Sequence, residues 1–116
     1  MGSNNSWTPP GTPFEGGSFK IEIKLDDNYP NSTPNCHFLT KVFHPNINFK
    51  DGSICVKLLN NLTNKSSICG IIVALYGLLK EPNQNSPLNR NANDLYERDK
   101  ERYNQLAKSF TNKFAK

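Results

Sequence analysis

Long apolar runs, paired cysteines and concentrated charge are what this sequence lacks. No stretch of its 116 residues approaches the ~20 consecutive apolar residues of a membrane-spanning helix, and no signal peptide opens it. The three cysteines, Cys36, Cys55 and Cys69, are odd in number, widely spaced and without a C-x-x-C pair. They argue against a disulfide framework and against structural zinc. A reducing compartment, the cytoplasm with the nucleus, is the expectation. Lys and Arg number 14 against 10 Asp and Glu, a net charge of +4 with pI ≈ 9.0. That charge is dispersed: "YERDKERYNQLAKSFTNKFAK" interleaves bases with acids, the pattern of a solvated helix face. A nucleic-acid binder gathers its bases into a stripe with stacking aromatics, so neither nucleic acid nor membrane is an expected partner.

What is present is one modest domain of 13.1 kDa. Hydrophobic residues make up 35% and the mean hydropathy is -0.65, with asparagine supplying much of the uncharged polarity. Sequons at Asn4, Asn31, Asn61 and Asn64 carry little weight in so asparagine-rich a chain. Residues 1–6 read as a flexible lead or expression scar. "WTPPGTPFEGG" is Pro/Gly-rich and reads as loop or turn. In "SFKIEIKL" (18–25), Phe19, Ile21, Ile23 and Leu25 alternate with Lys20, Glu22 and Lys24, as in a half-buried strand. "CHFLTKVF" (36–43) is a second strand candidate with Phe38 and Val42 in the core, and "SICVKLL" is a short extended piece.

From Ser67 the pattern changes. "ICGIIVALYGLLK" is almost wholly apolar, as expected of a central helix packed on several sides. Ser66 or Ser67 can cap its start, and Pro82 ends it. Leu95, Tyr103, Leu106, Phe110 and Phe114 then recur every three or four residues, giving one or two amphipathic C-terminal helices. Strands followed by helices indicate an α+β domain with an antiparallel sheet. Cys36 and Cys69 fall in these patterns as ordinary small core residues. The spacing of Cys36, His37 and His44 fits no metal site.

The segment "HPNINFKDGSIC" (44–55) neither alternates nor repeats, yet it delivers a lone Cys55. "GTPFEGGSF", "YPNSTP", "VFHPNINFKDGSIC", "LLKEPNQNSPLN" and "LYERDKERYNQLAKSFTNKFA", in that order, resemble the catalytic domain of ubiquitin-conjugating enzymes. The resemblance runs from about Thr8 to the C-terminus. It implies a meander sheet against a central helix with C-terminal helices, and assigns residues 7–116 to an N-terminally truncated catalytic domain. It also implies that Cys55 accepts ubiquitin or a related modifier as a thioester from an activating enzyme. The acyl group then passes to a lysine amine of a protein substrate or to a ubiquitin ligase. Cysteine suits this because its thiolate both attacks and leaves. No metal or organic cofactor is implied, since the activating enzyme consumes the ATP.

Around Cys55 the resemblance gives further roles. The Asn46 amide either stabilises the oxyanion formed under amine attack, an effect of roughly 3 to 4 kcal/mol in comparable sites, or holds the loop backbone. His44, whose ordinary pKa near 6.5 suits proton transfer, reads with Pro45 as a buried loop anchor instead. Ser86, Leu88 and Lys57 face the substrate. A hydroxyl at Ser86 orients an amine but is no strong base.

Four departures separate the chain from common relatives. His44 to Cys55 is one residue longer, and Lys57 stands where an acid is frequent, favouring thiolate. "NNLTNKSS" replaces Trp-Ser-Pro, and Asn31 replaces a phenylalanine, so ligase partners cannot be carried over by analogy. Relatives also have an N-terminal helix and a first strand ahead of "GTPFEGG". Without them, weaker charging and an exposed edge on "SFKIEIKL" are expected, the edge inviting self-association. Two rival readings remain: a non-catalytic variant that binds ubiquitin as a partner subunit, which Cys55 argues against, and a small basic nucleic-acid module.

Overall fold

The alternation in "SFKIEIKL" becomes a strand only from Ile21 to Lys24 (β1). The computed structural model describes residues 8–24, 27–28, 31, 35–54, 68–83 and 87–115. β1 pairs antiparallel with β2 (Asn35–Phe38), Ile21 facing Phe38 and Lys24 facing Asn35. The expected strand starts late because its first residues are bonded elsewhere. The Ser18 N–H donates to the Ala115 carbonyl at the far end of the chain (2.6 Å), and the Lys20 N–H to the Thr40 hydroxyl (2.9 Å). The second expected strand, 36–43, ends at Phe38. Beyond it Leu39 is exposed while Val42 and Phe43 are both buried, a succession that a two-residue period cannot produce. A bridge from His37 to Ser53 lays the following loop beside β2, and one from Ile47 to Ile54 closes that loop on itself. The architecture is α+β, a small antiparallel sheet with helices.

Helix α1 (Ile68–Lys80) buries Ile71, Ala74, Leu75, Leu78 and Leu79. The spacing of i, i+3, i+4, i+7 and i+8 is one helix face, and each of its larger side chains contributes roughly 1.5–3 kcal/mol on burial. The expectation of packing on several sides is corrected here. Val73 is 70% exposed and Tyr76 38%, so an apolar sequence all round has nonetheless produced an amphipathic helix. It ends at Lys80, where the Glu81 N–H still reaches the Gly77 carbonyl (2.9 Å) and Pro82 forbids another turn. The Ser66 and Ser67 cap lies outside the described residues.

Two helices close the fold, α2 (Arg90–Arg98) and α3 (Lys100–Phe114). Asn89 caps the first through its side-chain oxygen, which accepts from the Ala92 N–H (3.1 Å). Asp99 serves both: its N–H closes α2 on Leu95, and its carboxylate caps α3 at the Arg102 N–H. A single residue therefore makes the corner. α3 buries Tyr103, Ala107 and Thr111, and Phe110 stacks on Phe43 (5.6 Å) and meets Phe49 edge-on (5.0 Å). These contacts tie the last helix to the entry and the middle of the irregular segment. Cys36 is fully buried in the same core, and burial raises its thiol pKa from 9.0 to about 11, which keeps it unreactive.

Candidate active site

Residues 44–54 form no regular element, and side chains supply the order instead. The Asn48 side-chain oxygen accepts the N–H groups of Lys50 (2.8 Å) and Asp51 (3.2 Å), and the Asp51 carboxylate accepts that of Ser53 (2.8 Å). These are Asx turns. Gly52 then turns the chain with φ +75° and donates its N–H to the Asn48 carbonyl (2.8 Å). A Cβ there would lie 1.9 Å from the Phe38 carbonyl oxygen, so only glycine fits.

The His-Pro-Asn triplet fastens this loop to the segment running from the end of α1 to the start of α2. Each residue uses a different bond. His44 is fully buried, with Nε2 2.7 Å from the Leu78 carbonyl and Nδ1 accepting the Asn46 N–H (3.0 Å). That arrangement needs a neutral ring with its proton on Nε2. Burial lowers the His44 pKa from 6.5 to about 4, against a smaller upward pull from the Leu78 carbonyl. Both nitrogens are occupied and no face meets solvent, so the ring is not placed to take a proton from an incoming amine. The Pro45 carbonyl accepts two N–H groups, from Leu88 (2.7 Å) and Asn89 (3.0 Å).

Asn46, also fully buried, makes a reciprocal pair with the backbone of Asn83. Its amide nitrogen donates to the Asn83 carbonyl (2.6 Å) and its oxygen accepts the Asn83 N–H (2.8 Å). Both sides of the amide are thus used, in a geometry that braces the loop. Leu88 is 40% exposed. With Asn48, Lys50, Asn89 and Arg90 it lines an open groove of ≈ 360 Å³, where Lys50 and Arg90 supply positive charge. Cys55, Lys57 and Ser86 lie outside the described residues. Among those described, no group of three or more His, Cys, Asp or Glu side chains can hold a metal ion, and no helix is long and apolar enough to cross a membrane.

Three structural residues escaped the sequence reading. Asn83 and Leu78 act through backbone groups, which leave no side-chain signal. Gly52 was legible in principle, since an Asn-x-x-Asp-Gly run marks a turn with a positive φ.

A family profile described as "Ubiquitin-conjugating enzyme" matches residues 6–111. Over 109 residues, 92% of this chain and 50% of the relative, the sequence is 39% identical to "Ubiquitin-conjugating enzyme E2-24 kDa" of Saccharomyces cerevisiae. Over 96 residues, 82% of this chain and 50% of the relative, it is 41% identical to "Ubiquitin-conjugating enzyme E2 1" of Caenorhabditis elegans. The chain thus spans about half the length of these curated relatives. The E2 domain of a Toxoplasma gondii ubiquitin conjugating enzyme superposes with a TM-score of 0.83 at 31% identity, covering 93% of this chain and 76% of that one. With the family profile matching residues 6–111 and relatives and a solved structure aligned over nearly the whole sequence, the chain belongs to the ubiquitin-conjugating enzyme family.

Proposed function

We propose that this chain carries ubiquitin or a ubiquitin-like modifier as a thioester on Cys55 and passes it on. The observation that supports the reading is the triple fastening of His44, Pro45 and Asn46 to residues 78–89. Together with the 48–52 turn, it fixes the chain up to Ile54, the residue before Cys55. In the loading step the Cys55 thiolate attacks the carbonyl carbon of the thioester on the activating enzyme. A new C–S bond forms and the activating enzyme's thiolate leaves. In transfer, a substrate lysine amine attacks the same carbon, the C–N bond forms and Cys55 leaves as thiolate, the amine's proton passing to solvent. A ligase cysteine takes the acyl group by a second exchange of the first kind. The activating enzyme, the modifier, a ligase and a substrate lysine are the partners this chemistry requires.

Asn46 acts here as a brace, since its amide is engaged with Asn83. Leu88 lines the groove beside Lys50 and Arg90, and Ser86 and Lys57 keep the substrate-facing role that the family resemblance implies. The test is incubation with activating enzyme, ATP and several modifiers in parallel, resolved with and without reducing agent. The expected result is an adduct with one modifier that reductant removes and Cys55→Ala does not form. No adduct, under conditions that charge a full-length relative, points to the non-catalytic, modifier-binding reading.

A further inference from the structure

Of the five aspartates only Asp51 precedes a glycine, and no asparagine does. Such a pair can isomerise through its own backbone. The Gly52 amide nitrogen attacks Cγ of a protonated Asp51 side chain and a C–N bond forms. The amide proton and the side-chain hydroxyl leave together as water. The cyclic succinimide then takes up water at either of its carbonyls. Addition at Cγ restores aspartate. Addition at the α-carbonyl breaks that carbon's bond to the Gly52 nitrogen and leaves isoaspartate, whose main chain runs through Cβ and Cγ. Glycine permits the first step because it has no Cβ to hinder the approach.

The 48–53 turn opposes ring closure at each group it needs. The Gly52 N–H donates to the Asn48 carbonyl (2.8 Å), which keeps the proton on the attacking nitrogen. The Asp51 carboxylate accepts the Ser53 N–H (2.8 Å). That bond first, then the Ser53 hydroxyl, holds the Asp51 carboxyl below the usual carboxylate range, so the form able to lose a hydroxyl is scarce. On either side of the pair the Asp51 N–H is fixed by the Asn48 side chain (3.2 Å) and the Gly52 carbonyl by the Phe38 N–H (2.8 Å). Asp51 itself is exposed to water, so bonds supply the protection and burial does not.

The product has no place in the turn. Isoaspartate lengthens the main chain between residues 51 and 52 by one methylene and removes the side chain that holds Ser53. Gly52 is pressed so closely against β2 that a single Cβ on it would lie 1.9 Å from the Phe38 carbonyl oxygen. The bond from the Asn48 N–H to the Ser53 carbonyl (3.0 Å) would lose its register as well.

We propose that Asp51–Gly52 is a site of spontaneous isoaspartate formation, silent while the turn is closed, reactive when it opens, and unable to close again once modified. A transient local opening thereby becomes a lasting loss of order in the 48–53 turn. The proposal is independent of thioester chemistry on Cys55.

The test incubates the chain at pH 6, native and, at the same temperature, unfolded in urea. Isoaspartate is quantified by methyl transfer from an isoaspartyl methyltransferase and located by electron-transfer fragmentation. It is expected at residue 51, forming at least about tenfold more slowly in the native chain than in the unfolded one. Asp51→Glu, which would need a larger ring, should abolish the signal at that position. Asn48→Ala removes the acceptor of the Asp51 N–H and Ser53→Ala a hydroxyl contact. Each variant, verified as folded by circular dichroism, should isomerise several-fold faster than the unmodified native chain. The isomerised chain, separated chromatographically and returned to native buffer, should show a lower denaturation midpoint. Equal rates in the native and unfolded chain overturn the proposal, a comparison that needs no variant. So does an unfolded chain that isomerises elsewhere and not at residue 51, a pair of folded variants no faster than the unmodified chain, or an isomer that regains the full midpoint.

Discussion

Helix α1 and the 44–54 segment are both essential to the site, but they are held in opposite ways. α1 is all apolar pattern: its inner face buries five residues while Val73 and Tyr76 stay in water, and no single contact decides its position. The 44–54 segment has no pattern. It is positioned by individual bonds, each requiring one side chain at one place: Asn48 for the turn, Gly52 for its closure, His44 and Asn46 for the clamp. Packing degrades gradually when a methylene is lost, whereas a polar brace fails as a unit and strands its buried partners. Irregular sequence here therefore means more specification per residue, not less.

That contrast can be broken most severely at Gly52. Gly52→Ala combines a φ of +75° with a Cβ 1.9 Å from the Phe38 carbonyl oxygen. It should cost more than about 3 kcal/mol, read as a fall in denaturation midpoint. A loss below about 1 kcal/mol would mean that the loop yields as packing does.

Acid attacks the clamp through His44. Its folded pKa of about 4 lies below the ordinary 6.5, so across that window the unfolded chain binds a proton that the folded chain refuses. Stability is full above pH 6.5 and falls as the pH drops toward 4, by up to roughly 3 kcal/mol. Unfolding measured at pH 7, 6, 5 and 4 should show this slope, and His44→Phe should flatten it even though it lowers stability throughout. An unchanged slope in the variant would remove His44 from the account.

Asn46→Ala strands the Asn83 N–H and carbonyl and should cost roughly 1–3 kcal/mol, with slower charging. Asn46→Asp keeps the acceptor but opposes two oxygens at the Asn83 carbonyl, and should be no better. Unaltered stability with normal charging and slow discharge to free lysine would instead assign the amide to the oxyanion.

The smallest effect belongs to the helical layer. The buried Tyr103 hydroxyl has no hydrogen-bond partner among the described residues, and burial foremost, then Tyr96, raises its pKa. Tyr103→Phe removes an unsatisfied polar atom and leaves the ring contacts with Phe43 and Tyr96. It should be neutral or stabilising by up to about 1 kcal/mol. A clear loss of stability would reveal a bond to the hydroxyl.

The same contrast explains what could be read from the sequence. Periodicity located α1 within a residue or two and announced one or two C-terminal helices without their bounds, since local spacing alone sets a helix face. It overran both strands, the first because Ser18 is bonded to Ala115 and Lys20 to Thr40, partners far off in the chain, the second because Val42 and Phe43 are both buried outside any strand. Phe14 in the Pro/Gly-rich stretch and Thr111 on α3 went unremarked although both are buried. The Thr111 hydroxyl is satisfied within its own helix by the Ala107 carbonyl (2.8 Å), which leaves its methyl free to pack beside Gly17. The His-Pro-Asn triplet was legible as a motif, but its partners at Leu78, Asn83 and Leu88 were not.

The most direct test is the intact mass of the chain after exposure to activating enzyme, ATP and modifier. The account predicts one added modifier less one water, released by a thiol reductant. It predicts none on Cys55→Ala, and on Cys55→Ser a reductant-resistant oxyester, since serine substitutes a poorer leaving oxygen. An adduct of the same mass surviving on Cys55→Ala would contradict it.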